Sequence, residues 1–281
     1  MTELIIAPGN AGTADLGENV EVKAEDIDGL LQLARSRFAD LTFVGPEQPL
    51  IDGIADRFKS AGLAVFGPSA AAARVEGSKI WSDDVMTRYG IPTAESRAFD
   101  DSASAIAYGR SKPEGSLVVK ADGLAAGKGV ILPDSYEELD SAITEMIDDA
   151  LFGDASSKLL LAERMSGPEV SVFVFLQGEI VSAEVAACDY KRIGEGDTGP
   201  NTGGVGSYTP PEFWTPELAE QVRTEILEPI AKALVAEDSS YSGILYAGLM
   251  ITDNGPRVIE FNCRFGDPET QILMPKLETD L

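Results

Sequence analysis

The sequence predicts an α/β chain that opens with a parallel βαβ unit and continues into a part richer in antiparallel strands. Short apolar strands alternate with amphipathic helical stretches as far as Phe66. Each early strand stops at a Gly, Pro or Asn turn, the edge where parallel sheets bind ligands. Beyond Ser78 the rhythm changes, and pairs of β-rich runs are joined by tight turns.

Leu4 to Ala7 reads as a strand broken at Pro8-Gly9-Asn10, and Ile27 to Arg37 has leucines at helical spacing. Leu41 to Val44 is a strand, Asp52 to Ala61 a helix, and Ala64 to Phe66 a strand stopped at Gly67-Pro68. Lys79 to Tyr89 is predicted helical, and Leu117 to Lys120 and Gly129 to Leu132 are β-rich. Tyr136 to Asp148 is a helix with Leu139, Ile143 and Met146 on one face, and Leu159 to Ala162 is a strand. Val170 to Leu176 and Ile180 to Ala186 form a hairpin, and Gly194 to Gly206 is a Gly-rich polar loop. Glu217 to Val235 is one long helix, followed by a hairpin of Gly248 to Thr252 with Arg257 to Cys263.

Composition narrows the chemistry. The 281 residues suffice for one large domain or two smaller ones, and 44% hydrophobic content is that of an ordinary globular chain. The formal net charge of -25, from 47 acidic and 22 basic residues, argues against nucleic acid or an anionic membrane as partner. No secretory or spanning segment is legible, and Cys188 and Cys263 read as reduced, buried thiols, so a cytoplasmic protein is expected. With no histidine, Ser-His-Asp, Cys-His and His-metal chemistry are excluded. Catalysis would fall to carboxylates, lysines, arginines, backbone amides or an oxygen-held metal.

Val118 to Leu132, VVKADGLAAGKGVIL, places Lys120 and Lys128 with Gly123, Gly127 and Gly129 between two apolar runs. It is not a Walker loop: three residues separate Gly123 from Gly127, Gly129 follows Lys128, and the loop joins strand to strand. Its amides could still turn toward phosphate, the glycines allowing close approach and φ > 0; a hairpin tip with solvated lysines fits the spacing equally well. The literal GxGxxG of Gly194 to Gly199 carries acids where a pyrophosphate would sit, and Pro200 follows instead of a helix. It is not a dinucleotide fingerprint.

In RVIEFNCRFGDPE, alternation sends Val258, Glu260 and Asn262 one way and Ile259, Phe261 and Cys263 the other, toward a core. Glu260 and Asn262 offer two oxygen ligands about 7 Å apart along the strand, a reach that suits Mg²⁺. A polar strand face is the alternative. Glu163 and Glu169 bracket a junction, and Asp189, Lys191 and Arg192 cluster after an apolar strand.

These pieces together resemble the ATP-grasp superfamily, and within it the phosphoribosylamine–glycine ligase (glycinamide ribonucleotide synthetase) family. APGNAGT, VGPEQPL, EGSK, VVKADGLAAGKGV, GPNTGGVGSY, LYAGLM and IEFNCRFGDPETQ carry the resemblance over nearly the whole chain. It implies a partial N-terminal parallel βαβ domain over 1–77 and an ATP-grasp fold over 78–281, with a mobile lid subdomain at 115–162 and a central antiparallel-rich α+β subdomain. The implied reaction joins glycine to 5-phosphoribosylamine through a glycyl phosphate, consuming ATP with Mg²⁺ (or Mn²⁺), in purine biosynthesis. By the same resemblance Lys79 and Lys120 contact ATP phosphates under the loop of Gly123, Gly127, Lys128 and Gly129. Glu163 and Met165 would read adenine and Glu169 the ribose. Lys191 would lie near the γ-phosphate, and Glu260 and Asn262 would hold the metal. Asn10, Asp189, Asn201, Arg264 and Asp267 are substrate-side candidates, with Arg264, Lys191 and Asp267 catalytic.

A monomer is expected, able to work fused to or beside other purine enzymes. The family's first strand, Gly-rich turn and helix and its C-terminal domain have no counterpart here, which implies a truncated or partial sequence. Tyr190 stands where the family usually has His. The alternatives are a related ATP-grasp carboxylate–amine ligase and an ATP-binding fragment without turnover.

Overall fold

The computed structural model describes residues 3–125, 129–196 and 198–278, with the side chains of 154, 156, 200 and 201 outside that description. Strand β1 (Ile5–Ile6) is followed by a 3-10 turn and β2 (Glu18–Asn19), which returns to pair with β1 in parallel. Asn10 drives the return. Its side chain accepts the Gly12 and Thr13 N–H groups, and its carbonyl accepts from the Asn19 amide. Helix α1 (Ile27–Ser36), β3 (Thr42–Phe43), α2 (Glu47–Ile51), α3 (Ile54–Ser60) and β4 (Val65–Phe66) continue the expected rhythm, with β3 and β4 parallel. The two pairs remain separate two-stranded ladders.

Helix α4 (Ala70–Gly77) leads through Ser78 directly into α5 (Lys79–Tyr89). Then follow β5 (Ser96–Phe99), α6 (Ser102–Arg110), β6 (Leu117–Ala121), β7 (Val130–Ile131), α7 (Tyr136–Ile147) and β8 (Leu159–Glu163). The strands form one sheet in the order β5-β8-β6-β7. This layer therefore draws in β5 and α6, which precede the expected 115–162 segment. Leu139, Ile143 and Met146 of α7 are buried on it as their spacing predicts, with Leu117, Val119 and Leu161 in the same cluster.

The central sheet has the order β12-β11-β9-β13-β14, with β10 on the edge of β9. Its strands are β9 (Glu169–Gln177), β10 (Ile180–Val181), β11 (Val185–Gly194), β12 (Thr198–Tyr208), β13 (Ser242–Thr252) and β14 (Gly255–Asn262), antiparallel throughout. Three expectations are corrected here. The Gly-rich stretch expected as a loop becomes β12, laddered on β11 with two register shifts. Positive φ at Gly199 and Gly204 lets that irregular strand follow its partner. The helix expected over Glu217 to Val235 is α8 (Pro216–Val222), a π-turn at Arg223–Leu227 and α9 (Glu228–Ala236). Pro229 has no N–H to give the preceding turn, so the ladder widens there.

The third correction concerns β14. Gly248 pairs with Glu260 but Leu249 pairs with Val258, so Ile259 is an extra residue, a bulge. Val258, expected beside Glu260, is fully buried in the main core with Phe261 and Cys263. Ile259, expected in the core, is only half-buried. The incoming chain holds Val258 in this place: Pro92 O accepts its N–H at 2.8 Å, and its carbonyl accepts the Thr93 hydroxyl at 2.9 Å. A short α10 (Thr270–Leu273) follows. Both cysteines are buried and unbridged, as expected.

Candidate active site

The two sheets face each other across a cleft that encloses about 950 Å³, open solvent at its mouth included. Helix α5 contributes Lys79, Ser82, Asp83 and Met86, at the i, i+3, i+4, i+7 spacing of one helical face. Strand β6 contributes Lys120, β8 contributes Leu160 and Ala162, and β14 contributes Ile259, Glu260, Phe261 and Asn262. Arg264, Glu47 and Glu76 close one end.

Lys120 is deeply placed, and its ammonium donates to Ile259 O at 2.9 Å. Burial pushes its pKa down, while the field of Glu260 opposes this. Asp83 accepts from the Ser96 hydroxyl, and burial raises its pKa, with Lys120 pulling the other way. The Ser82 hydroxyl is buried and has no hydrogen-bond partner among the described residues. Arg264 Nε donates to Glu47 at 3.0 Å and its Nη2 lies 3.7 Å from Glu76. Glu76, only 8% exposed, also accepts the Cys263 N–H at 2.7 Å. Burial raises the Glu76 pKa against the pull of Arg264.

Of the residues expected from the sequence, Lys79, Lys120, Gly129, Glu260, Asn262 and Arg264 line this one cleft. Gly123 lies at the root of the loop, where an added Cβ would fall 2.8 Å from Ala155 Cβ; at Gly129 it would fall 2.7 Å from Ala125 Cβ. Neither has a positive φ, so close approach is the reason for glycine. Gly127 and Lys128 lie outside the described residues, as does the side chain of Asn201.

Glu163 ends β8 beyond the cleft wall and accepts from Arg257 at 3.4 Å. Met165, half-buried, sits in the connection that follows. Glu169 and Lys191 form an ion pair with each other, and Asp189 lies 4.0 Å from the same ammonium. Burial raises the Asp189 pKa. Asp267 accepts from Gln271 at 2.7 Å beyond Arg264, and Asn10 caps its own turn outside the cleft lining. Sequence reasoning gave no role to Ser82 and Asp83, nor to the acids Glu47 and Glu76, although the motifs VGPEQPL and EGSK contain the last two. The first two could have been found from their helical spacing to Lys79. The last two meet Arg264 only through the fold.

Glu260 and Asn262 give a carboxylate and an amide oxygen, hard donors of the kind Mg²⁺ takes. One carboxylate with one neutral oxygen fits an ion that keeps water or phosphate on its remaining positions. Among the described residues no group of three or more Asp, Glu, Cys or His could form an all-protein cage. Two lysines on separate elements opposite this pair suit an anionic ligand carrying such a metal.

A four-stranded sheet facing an antiparallel sheet across a cleft lined by lysines and oxygen donors is the arrangement of the ATP-grasp class. The solved biotin carboxylase domain of Hydrogenobacter thermophilus 2-oxoglutarate carboxylase has this fold (TM-score 0.73, 17% identity, 95% of this chain and 60% of that one). The model of the phosphoribosylglycinamide synthetase N domain matches residues 1–76, and that of its ATP-grasp (A) domain matches residues 77–270. The chain belongs to the phosphoribosylglycinamide synthetase family.

The phosphoribosylamine–glycine ligase of Yersinia pestis is 48% identical over 99% of this chain, which spans 66% of that protein's length. That of Pasteurella multocida gives the same figures. The solved phosphoribosylamine–glycine ligase of Thermotoga maritima superposes with a TM-score of 0.80 at 31% identity, covering 96% of this chain and 64% of that one. The chain thus spans slightly less than two thirds of the relatives it matches.

Proposed function

We propose that the chain carries out ATP-dependent ligation of glycine to 5-phosphoribosylamine, giving glycinamide ribonucleotide, ADP and phosphate. The observation that carries this reading is the meeting of Lys79, Lys120, Glu260 and Asn262 in one cleft. The relatives' shared name supports the substrates, and the Hydrogenobacter domain, solved with MgADP, supports the nucleotide.

The glycine carboxylate attacks the γ-phosphorus in line, the bond to the β-phosphate oxygen breaks, and ADP is released as glycyl phosphate forms. The amine of phosphoribosylamine then attacks the acyl carbon and expels phosphate. Lys79, Lys120 and Lys191 offset charge on the transferring group, so positioning and electrostatics do most of the catalysis. Mg²⁺, or Mn²⁺ in its place, would be held by Glu260 and Asn262 and would supply further neutralisation of the phosphates. Glu163 and Met165 address adenine, and Glu169 the ribose, once Lys191 exchanges Glu169 for phosphate. Arg264, Asp267, Asp189, Asn201 and Asn10 face the remaining substrates. Glycyl phosphate hydrolyses in open water, and the 115–162 layer with its Gly123–Gly129 loop closes to exclude it. We read the chain as a cytoplasmic monomer.

ADP release with Mg²⁺, glycine and freshly generated phosphoribosylamine tests the reading. ADP that appears only with both substrates supports it. Nucleotide binding without turnover would sink the ligase reading for this chain.

A further inference from the structure

Lys79 and Lys120 stand on different layers of the cleft, one on α5 and one on β6. Asp122, two residues beyond Lys120, joins them. Its Oδ1 accepts the Ile80 N–H at 2.8 Å and the Ser78 hydroxyl at 2.9 Å. Its carbonyl accepts the Lys79 N–H at 2.9 Å. The same Ser78 oxygen accepts the Trp81 N–H at 3.1 Å. The first three amides of α5, which have no partner within the helix, therefore end on Asp122 or on a hydroxyl bonded to it. On its other side the Asp122 N–H donates to Lys158 O at 3.2 Å, beside the start of β8. The next residue, Gly123, donates to Ala155 O at 3.0 Å.

We propose that Asp122 is a positioning residue, which locks the Lys79 end of α5 to the Lys120 strand so that both ammonium groups address one polyphosphate. The proposal rests on the nucleotide reading of the cleft. A carboxylate suits the place because it only accepts, and its charge faces the positive end of a helix.

The test is the affinity of the full chain for MgADP and for AMP, measured by titration calorimetry. Asp122→Ala is expected to weaken MgADP about tenfold while AMP changes less than about twofold, because only the second phosphate needs both lysines. Asp122→Asn, which keeps an oxygen acceptor at the same place, is expected to rescue most of the loss. Equal weakening of both nucleotides would mean a merely structural role and overturn the proposal, as would an unchanged MgADP affinity. If Asp122→Ala does not fold, Ser78→Ala should show the same asymmetry at about threefold, and symmetry there overturns the proposal equally. A wild-type chain that binds neither nucleotide would refute the nucleotide reading and take this proposal with it. Wild-type selectivity retained in Asp122→Ala would refute the role of Asp122 alone.

Discussion

Arg264 reaches Glu47 and Glu76, two carboxylates that lie far from it in the sequence. Glu76 is the costlier partner, because burial disfavours its charged form more than Arg264 restores it, and its pKa lies above the usual 4.5. A carboxyl whose folded pKa is raised contributes stability that is fully present below its unfolded pKa. That contribution is lost as pH rises through the folded value. Relative to Glu76→Gln, the wild type is therefore expected to lose stability as pH rises above 4.5. Urea unfolding of both proteins across that range checks the sign, and a parallel pair of curves contradicts it. Glu260 makes a different prediction. Glu260→Ala is expected to lower the Mg²⁺ enhancement of ADP affinity by about tenfold or more, read by titration with and without the metal. Undiminished enhancement would refute the proposed metal pair.

The connection between the four-stranded sheet and the central sheet, from β8 to β9, passes through Gly167. Its φ is +149°, and an added Cβ would fall 2.0 Å from Ile251 O, which is backbone and cannot swing aside. Gly167→Ala is expected to destabilise by about 2–4 kcal/mol, measured as a shift of the urea midpoint at unchanged slope. An unchanged midpoint would show that the crossing relaxes freely. Helices α1, α5 and α7 and the β9–β10 and β13–β14 hairpins were legible because periodicity and turn residues act locally. Strand β2 was not, since it depends on the Asn10–Asn19 contact. The bulge at Ile259 was not either, since Pro92 and Thr93 hold Val258 from elsewhere in the chain. The site divides the same way. Lys79, Lys120, Glu260 and Asn262 stand out in motifs, whereas the bonds of Asp122 and the acids around Arg264 exist only once distant segments meet.

Across the whole molecule, 47 acidic residues face 22 basic ones, and ion pairs such as Arg57 with Asp28 and Arg88 with Asp84 are exposed. Exposed pairs contribute little, while the unbalanced charge repels itself within the compact state. Salt screens that repulsion over about 10 Å at 0.1 M and about 3 Å at 1 M. The thermal midpoint is therefore expected to rise with sodium chloride across that range in scanning calorimetry. A midpoint that falls would mean that the attractive pairs dominate. The same excess of acid surrounds a cleft with few lysines, so added salt should weaken nucleotide binding less than it would at a basic surface.

The extra residue at Ile259 also limits how β14 can vary in length. Val258 is tied to Pro92 and Thr93, and Asn262 is paired with Tyr246, so both ends of the segment are anchored. Removing Ile259 would leave Glu260 opposite Gly248 but take away the carbonyl that accepts the Lys120 ammonium. Adding one would have to loop out between the two anchors or break one of them. Length changes between the anchors thus act first on the seat of Lys120, and are better accommodated in the turn at Asp253-Asn254, beyond the anchored pairs.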